Sequence, residues 1–131
     1  MVSKRSNIRS GAPWEPVVAY SRAVRVGAYI AVSGSAPVAA DGSVVAPGDA
    51  YAQARRCIEV IANALDEAGA SLADVIRTRI YVTDIDRWQA VARAHREAFA
   101  DICPATSMVE VARLIDPEMV VEIEADAIVA A

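Results

Sequence analysis

The chain has 131 residues, a formal net charge of −4 and 55% hydrophobic residues. This length fits one compact domain, and the acidic balance argues against a nucleic-acid partner, which would need a basic face. No apolar run approaches the roughly 18 residues of a membrane span, and the basic opening lacks the apolar segment of a signal peptide, so we expect no membrane partner and a cytoplasmic location.

Metal ligands are scarce in the sequence. The two cysteines, Cys57 and Cys103, lie far apart without a CxxC motif, and His95 is the single histidine. A structural zinc site takes four such side chains, and a catalytic site takes three and a water. We therefore expect no metal site, and we expect His95 to pack inside the fold rather than to act as a catalyst.

The first third of the chain combines a polar arm with short strands. Residues 1–16 carry Gly and Pro among polar residues. We interpret them as an N-terminal arm, anchored through Trp14, ahead of a single domain over residues 17–131. Residues 17–32 are rich in β-forming residues, and Gly27 is the predicted turn between two strands.

A long helix is predicted in the middle of the chain, after an Asp-Gly hairpin signal at residues 41–42. Asp49 is the candidate N-cap, and Gly69 fits the left-handed position that ends many helices. Between them, apolar residues recur every three or four positions, which is one face of a helix: Ala54, Ile58, Ile61, Leu65 and Ala68.

The second half predicts a strand, a second helix and a final pair of strands. Residues 75–83 alternate as a strand, and Asp86 opens the second helix in a capping box with Gln89. Residues 107–114 and 119–129 form the last two strands, paired through a turn. This order of elements indicates an α+β fold in which two helices cover one face of a sheet.

The C-terminal part of the chain resembles a known family. Residues 104–114, PATSMVEVARL, are followed by VEIEA at residues 121–125. Together they are similar to the signature P-A-R-S-x-V-E-V-A-x-L…V-E-I-E of the Rid family, the reactive intermediate deaminases that are also called YjgF or L-PSP endoribonuclease-like proteins. VSG at residues 32–34 and Tyr20 match as well, so the resemblance covers about residues 17–129.

The resemblance implies a chorismate-mutase-like fold, with a mixed sheet and two helices on one face, and a homotrimer with small-molecule sites between subunits. It also implies hydrolysis of reactive enamines and imines to keto compounds and ammonia, with no cofactor and no metal. The alternative is a non-catalytic trimer that binds a small metabolite or a partner protein. The older endoribonuclease label ranks last, because a trimer of this chain would triple a charge that repels RNA.

The resemblance also assigns candidate site residues. Glu122 falls on the family carboxylate that positions the attacking water, although a solvated strand glutamate is the other interpretation. Tyr20 matches a tyrosine that hydrogen-bonds the ligand, or it is a wall residue. Ser33 and Gly34 match a loop that reaches the ligand, or they form an ordinary turn at a strand end.

One position departs from the signature. Deaminating members carry an arginine that clamps the substrate carboxylate where this chain has Thr106, and often a cysteine where it has Met108. A hydroxyl cannot replace the two-pronged donor of a guanidinium. We expect both residues to belong to the ligand site by position, and we expect activity on 2-imino acids to be altered or lost.

Two other arginines could supply the missing cation. Alternation along the strand places Arg79 on the face where we expect Thr106 and Met108, so Arg79 is a candidate ligand-binding residue. Arg22 shares strand parity with Tyr20 and is the second candidate. The alternative is a structural salt bridge, and we expect a glutamate to engage Arg79.

Overall fold

The elements follow one another along the chain as strands interrupted by helices. The structure is a computed structural model that describes residues 4–130. Two short 3₁₀ turns span Leu72–Asp74 and Ile85–Arg87. In order, the elements are β1 (Arg5–Ile8), α1 (Trp14–Val18), β2 (Ala23–Val26), β3 (Tyr29–Ser35), α2 (Ala50–Glu67), β4 (Val75–Val82), α3 (Trp88–Phe99), β5 (Ala105–Glu110) and β6 (Val121–Ile128).

The strands form one mixed sheet in the order β1-β2-β3-β6-β4-β5. Only β4 and β5 run parallel among these pairs, because α3 carries the chain back across the sheet between them. The prediction that residues 107–114 pair with residues 119–129 is wrong, since β4 lies between β5 and β6. The α+β class, with a mixed sheet and two long helices on one face, is confirmed.

The core lies between the sheet and the two long helices. Alternate residues of β6 are buried, and the predicted apolar stripe of α2 faces them. Many of these core side chains are alanines, so α2 and the sheet approach each other closely. The largest fully buried side chains include Phe99, Ile30, Ile61, Leu65, Ile80 and Ile123.

The ends of α2 follow the predicted capping residues. The side chain of Asp49 accepts a hydrogen bond from the backbone N–H of Ala52 at 3.0 Å, and Gly69 adopts a φ of +83° just past the helix. The prediction for α3 is wrong, because Asp84, and not Asp86, caps the preceding 3₁₀ turn. An earlier turn therefore starts the helical path, and α3 needs no side-chain cap of its own.

The N-terminal segment belongs to the sheet. The predicted arm over residues 1–16 contains β1, which pairs antiparallel with β2, and the start of α1. Residues 17–18 are helical and not extended as predicted, whereas the turn at Gly27 is present between β2 and β3. Residues 1–3 of the arm lie outside the described residues, and its division from residues 17–131 stays a prediction.

A buried amide joins α2 to two loops. The side chain of Gln53 is fully buried, and its Nε2 donates to the backbone carbonyls of Val45 and Glu118 at 3.0 and 2.9 Å. Its Oε1 accepts from the backbone N–H of Val120 at 2.8 Å. With a longer contact of 3.4 Å from Nε2 to the Ala46 carbonyl, one side chain bonds four backbone groups near the start of β6.

We predict that Gln53→Leu lowers the free energy of unfolding by about 2–4 kcal/mol, because each buried backbone group left without a partner costs about 1–3 kcal/mol. Urea unfolding at one fixed protein concentration measures the change. The control is Gln89→Leu, on the exposed face of α3, which we expect to stay within about 0.5 kcal/mol of the parent. Equal losses in the two variants would contradict the prediction.

Candidate functional site

An open groove of about 1220 Å³ lies at one end of the sheet. It is bounded by the end of β3 and the loop that follows, by α2, by the start of β6, by the segment before β2, and by the loop after β5. Four of the residues that the sequence nominated line this groove together: Tyr20, Ser33, Gly34 and Glu122. The fold therefore assembles these four from three separate parts of the chain.

A β-bulge places Gly34 against Glu122. The register between β3 and β6 shifts between Val32 and Ser35, so that two residues of β3 face one residue of β6. A Cβ added at Gly34 would lie 3.0 Å from the Cδ of Glu122 and closer still to a carboxylate oxygen. The carboxylate thus occupies the space that any larger residue at position 34 would need.

The Glu122 carboxyl is half-buried on the sheet face opposite the long helices. Burial raises its pKa above the ordinary value of 4.5, and the nearby Glu124 adds to that effect, while the positive charge of Arg22 opposes it. A carboxyl group with a raised pKa exchanges protons more readily near neutral pH. Glu122 is therefore suited to act as a general acid or base in the groove.

Arg22 also lines the groove, where the sequence made it only the second candidate cation. Arg22 is buried, with 8% of the residue exposed, and its Nη2 donates to the carbonyl oxygen of Gly34 at 2.5 Å. Its guanidinium carbon lies 5.9 Å from the ring centroid of Tyr20. Burial lowers the pKa of Arg22. The signal that pointed to this residue was its strand parity with Tyr20.

Thr106 and Met108 lie away from the groove within this chain. In-register pairing sets Thr78 beside Thr106 and Arg79 beside Ser107, so the expectation that Thr106 and Met108 share a face with Arg79 is wrong. The Oγ1 of Thr106 lies 2.8 Å from the Oγ1 of Thr78, and Met108 packs against the core. Both side chains point toward the helix layer, because β5 pairs with β4 in that register.

Arg79 is engaged by carboxylates on the open sheet face. Its Nη1 lies 3.2 Å from Asp126 and 3.7 Å from Glu124, and the hydroxyl of Tyr81 donates to Glu124 at 2.6 Å. The expected glutamate partner is thus present, together with a closer aspartate. Arg79 is not among the residues that line the groove.

His95 packs between the helix and the sheet, as expected from its place in the sequence. Its Nε2 lies 2.9 Å from the Oγ1 of Thr78, and its ring centroid is 4.6 Å from that of Phe99. Burial lowers its pKa. Within residues 4–130, no group of three or more His, Cys, Asp or Glu side chains is arranged to hold a metal ion. In the same part of the chain, no helix has the length and apolar character needed to cross a membrane.

Comparison with known sequences identifies related proteins over most of the chain. The sequence model of the Endoribonuclease L-PSP family matches residues 11–129. A RutC family protein of Pyrococcus abyssi is 36% identical over 85% of this chain and 87% of its own length. The 3-aminoacrylate deaminase RutC of Acinetobacter baylyi is 34% identical over 82% of this chain and 85% of its own length.

Solved structures share the fold described above. A member of the YjgF/YER057c/UK114 family from Mycobacterium tuberculosis superposes with a TM-score of 0.88 and 49% identity, covering 96% of this chain and all of that one. TdcF of E. coli, solved with bound serine, has a TM-score of 0.78 and 30% identity over 85% of this chain and 88% of that one. These structures confirm the chorismate-mutase-like architecture that the resemblance implied.

We predict that Glu122→Gln becomes progressively more stable, relative to the parent, as the pH rises above 4.5. The raised pKa means that the folded parent binds more protons than its unfolded state between pH 4.5 and that raised value. The parent's free energy of unfolding therefore falls as the pH rises through this window, and glutamine removes the effect. Thermal unfolding from pH 4 to pH 8 measures it. Glu118→Gln, at an exposed loop position, is the control, and a difference that is flat with pH would contradict the prediction.

Proposed function

Because the chain belongs to the Endoribonuclease L-PSP family, which includes YjgF and RutC proteins, we propose that it hydrolyses small reactive imines or enamines to carbonyl compounds and ammonia. The observation that carries the proposal is the half-buried Glu122 carboxyl, seated against Gly34 in an open groove. A related RutC is named as a 3-aminoacrylate deaminase, which performs this type of reaction.

In the proposed reaction, the Glu122 carboxylate accepts a proton from water as the water oxygen attacks the imine carbon. The protonated Glu122 returns this proton to the nitrogen, which gives a carbinolamine. Glu122 then accepts the proton of the carbinolamine hydroxyl and passes it to the amino nitrogen as the carbon–nitrogen bond breaks, so that the carbonyl group forms and ammonia leaves. For an enamine, protonation of carbon comes first, and the raised pKa of Glu122 favours this step because it makes the protonated form of the carboxyl easier to reach.

The remaining groove residues are proposed to orient the substrate. Tyr20 stands at the wall, and the Oγ of Ser33 donates to the backbone carbonyl of Ser21 at 2.7 Å, which holds the bulge in place. This bond leaves the lone pairs of the Ser33 oxygen available to a ligand donor. Arg79 is left out of the proposed site because two carboxylates already engage it.

The proposal includes a homotrimer in which β5 of one subunit borders the groove of the next. Thr106, which is exposed on the edge strand, would then lie nearest to the ligand across the interface, whereas Met108 stays packed against the core of its own subunit. The sheet face opposite the long helices supports this assembly, because it exposes large apolar side chains beside its ion pairs. Three of them are Tyr29, Val109 and Ile128.

The substrate range is proposed to differ from that of relatives with arginine at position 106. Thr106 carries no charge, and its hydroxyl is already within hydrogen-bond distance of Thr78 and of the carbonyl of Pro104. It therefore offers a substrate carboxylate neither a positive charge nor the pair of N–H donors with which an arginine binds both carboxylate oxygens. Recognition of an acidic substrate must come from another part of the groove.

We predict a particle of about three times 13.9 kDa in sedimentation equilibrium. Val109→Asp, on β5, should shift the particle toward the monomer, because burying an unpaired carboxylate in an interface is costly. Ile85→Asp places the same change on the 3₁₀ turn before α3, and we expect it to leave the mass unchanged. A parent that sediments as a monomer at micromolar concentration would exclude the trimer.

We predict that Glu122→Gln lowers the rate of imine hydrolysis by about 100-fold or more, which is the usual contribution of a general acid or base. The imine is generated in situ by an amino-acid oxidase acting on alanine, and semicarbazide traps the part that escapes hydrolysis. The variant should still bind pyruvate, the keto-acid product, because the rest of the groove is intact. Glu118→Gln is the matched control.

The same assay decides between an enzyme and a binding protein. Undiminished hydrolysis in Glu122→Gln would remove Glu122 from the mechanism. A parent that binds pyruvate but leaves the semicarbazone yield unchanged would favour the non-catalytic alternative.

A further inference from the structure

The groove contains a buried cation without a directly paired anion. Arg22 as a residue is 8% exposed, and the Nε of its guanidinium is buried with no hydrogen-bond partner within the described residues. Within residues 4–130, the ion pairs closer than 4.0 Å involve Arg56 and Arg79, and not Arg22. Burying a charged group is costly unless a partner compensates it, so this position calls for an anion.

The protein supplies only part of that compensation. The carboxylates of Glu15 and Glu122 and the ring of Tyr20 act on Arg22 at longer range. The Glu15 carboxylate already accepts hydrogen bonds from the backbone N–H and the hydroxyl of Ser10. Because the pKa of Glu122 is raised, its carboxyl is neutralised at a higher pH than an ordinary glutamate, so it is a weaker counter-charge for Arg22. Neither carboxylate therefore neutralises the guanidinium by direct contact.

Arg22 and Glu122 contact the same glycine, Gly34, at two different atoms. The Nη2 of Arg22 donates to the Gly34 carbonyl, while the Glu122 side chain lies against the Gly34 Cα. A ligand anion on the guanidinium would therefore lie one peptide unit from the Glu122 carboxyl. A short acid bound there would present the carbon next to its carboxylate toward Glu122.

We propose that Arg22 binds the carboxylate of the substrate, so that the groove selects small imino or enamino acids. The reacting group rests on the proposed function, but the anion recognition rests on Arg22 itself. The carboxylate would lie at the β2 side of the groove instead of at position 106. A carboxylate bound at Arg22 would give this chain, which has threonine at residue 106, an acid specificity different from that of relatives with arginine there.

A purely structural Arg22 would behave differently from an anion-binding one. An arginine that only holds the Gly34 carbonyl would affect charged and uncharged ligands alike. An arginine that binds the carboxylate distinguishes pyruvate from pyruvamide, which has the same shape without the charge. The ratio of the two dissociation constants therefore separates the two roles.

The test is titration calorimetry of pyruvate and pyruvamide with the parent, Arg22→Gln, Arg22→Lys and Arg113→Gln. We expect the parent to bind pyruvate about tenfold or more tightly than pyruvamide. Pyruvate can form charge-assisted hydrogen bonds between its carboxylate and the guanidinium, whereas the neutral amide of pyruvamide cannot. Arg22→Gln should bring the ratio close to one, and its amide can still donate to Gly34. Arg22→Lys should give an intermediate ratio, since it keeps the charge without the paired N–H donors of arginine.

Arg113→Gln is the matched control, because Arg113 lines the same groove at an exposed position and the change in net charge is identical. The control should retain the ratio of the parent. Equal affinities in the parent, an unchanged ratio in Arg22→Gln, or a ratio lost in Arg113→Gln would each overturn the proposal. If Arg22→Gln fails to fold, the parent ratio and the Arg22→Lys ratio still decide it.

Failure of the proposed function gives a different pattern. If imine hydrolysis is absent but the preference for pyruvate over pyruvamide depends on Arg22, the anion site is supported and the enzymatic function is contradicted. If hydrolysis is present without such a preference, the enzymatic function is supported and the role of Arg22 is contradicted.

Discussion

The contact between the Glu122 carboxyl and the Cα of Gly34 is the constraint on which the candidate site depends. It requires a residue without a side chain at position 34, and it requires the bulge that turns this residue toward β6. The carbonyl of the same glycine is held by Arg22. One backbone unit therefore sets the positions of both Glu122 and Arg22.

The two faces of the sheet have different physical roles. The face under α2 and α3 is built mainly from small and branched apolar residues, including the fully buried Ile80 and Ile123. The other face carries a ladder of ionic and hydroxyl contacts in which Arg79 joins Glu124 and Asp126. Glu122 and Glu124 both line the groove. Glu124 lies 3.7 Å from Arg79, whereas no ion pair closer than 4.0 Å within residues 4–130 involves Glu122.

The threonine at position 106 is integrated into the helix-facing side of the sheet. A chain of hydrogen-bond contacts runs from the Pro104 carbonyl through Thr106 and Thr78 to His95. Thr78 is fully buried, so its hydroxyl needs these partners. The departure from the family signature therefore comes with a local polar network that ties the edge strand β5 to β4 and α3.

The sequence by itself determined the types of the main elements from β2 onward, the helix ends at Asp49 and Gly69, the α+β class and the family. These features depend on local periodicity, capping and a contiguous signature. The sequence also nominated Tyr20, Ser33, Gly34 and Glu122, although by resemblance and not by chemistry. Only the tertiary structure decided that β4 separates β5 from β6, since strand order depends on pairing between distant segments. The same pairing register turned Thr106 toward Thr78, and folding buried Arg22 beside Gly34. Burial and register arise from contacts across the whole chain, and no local pattern records them.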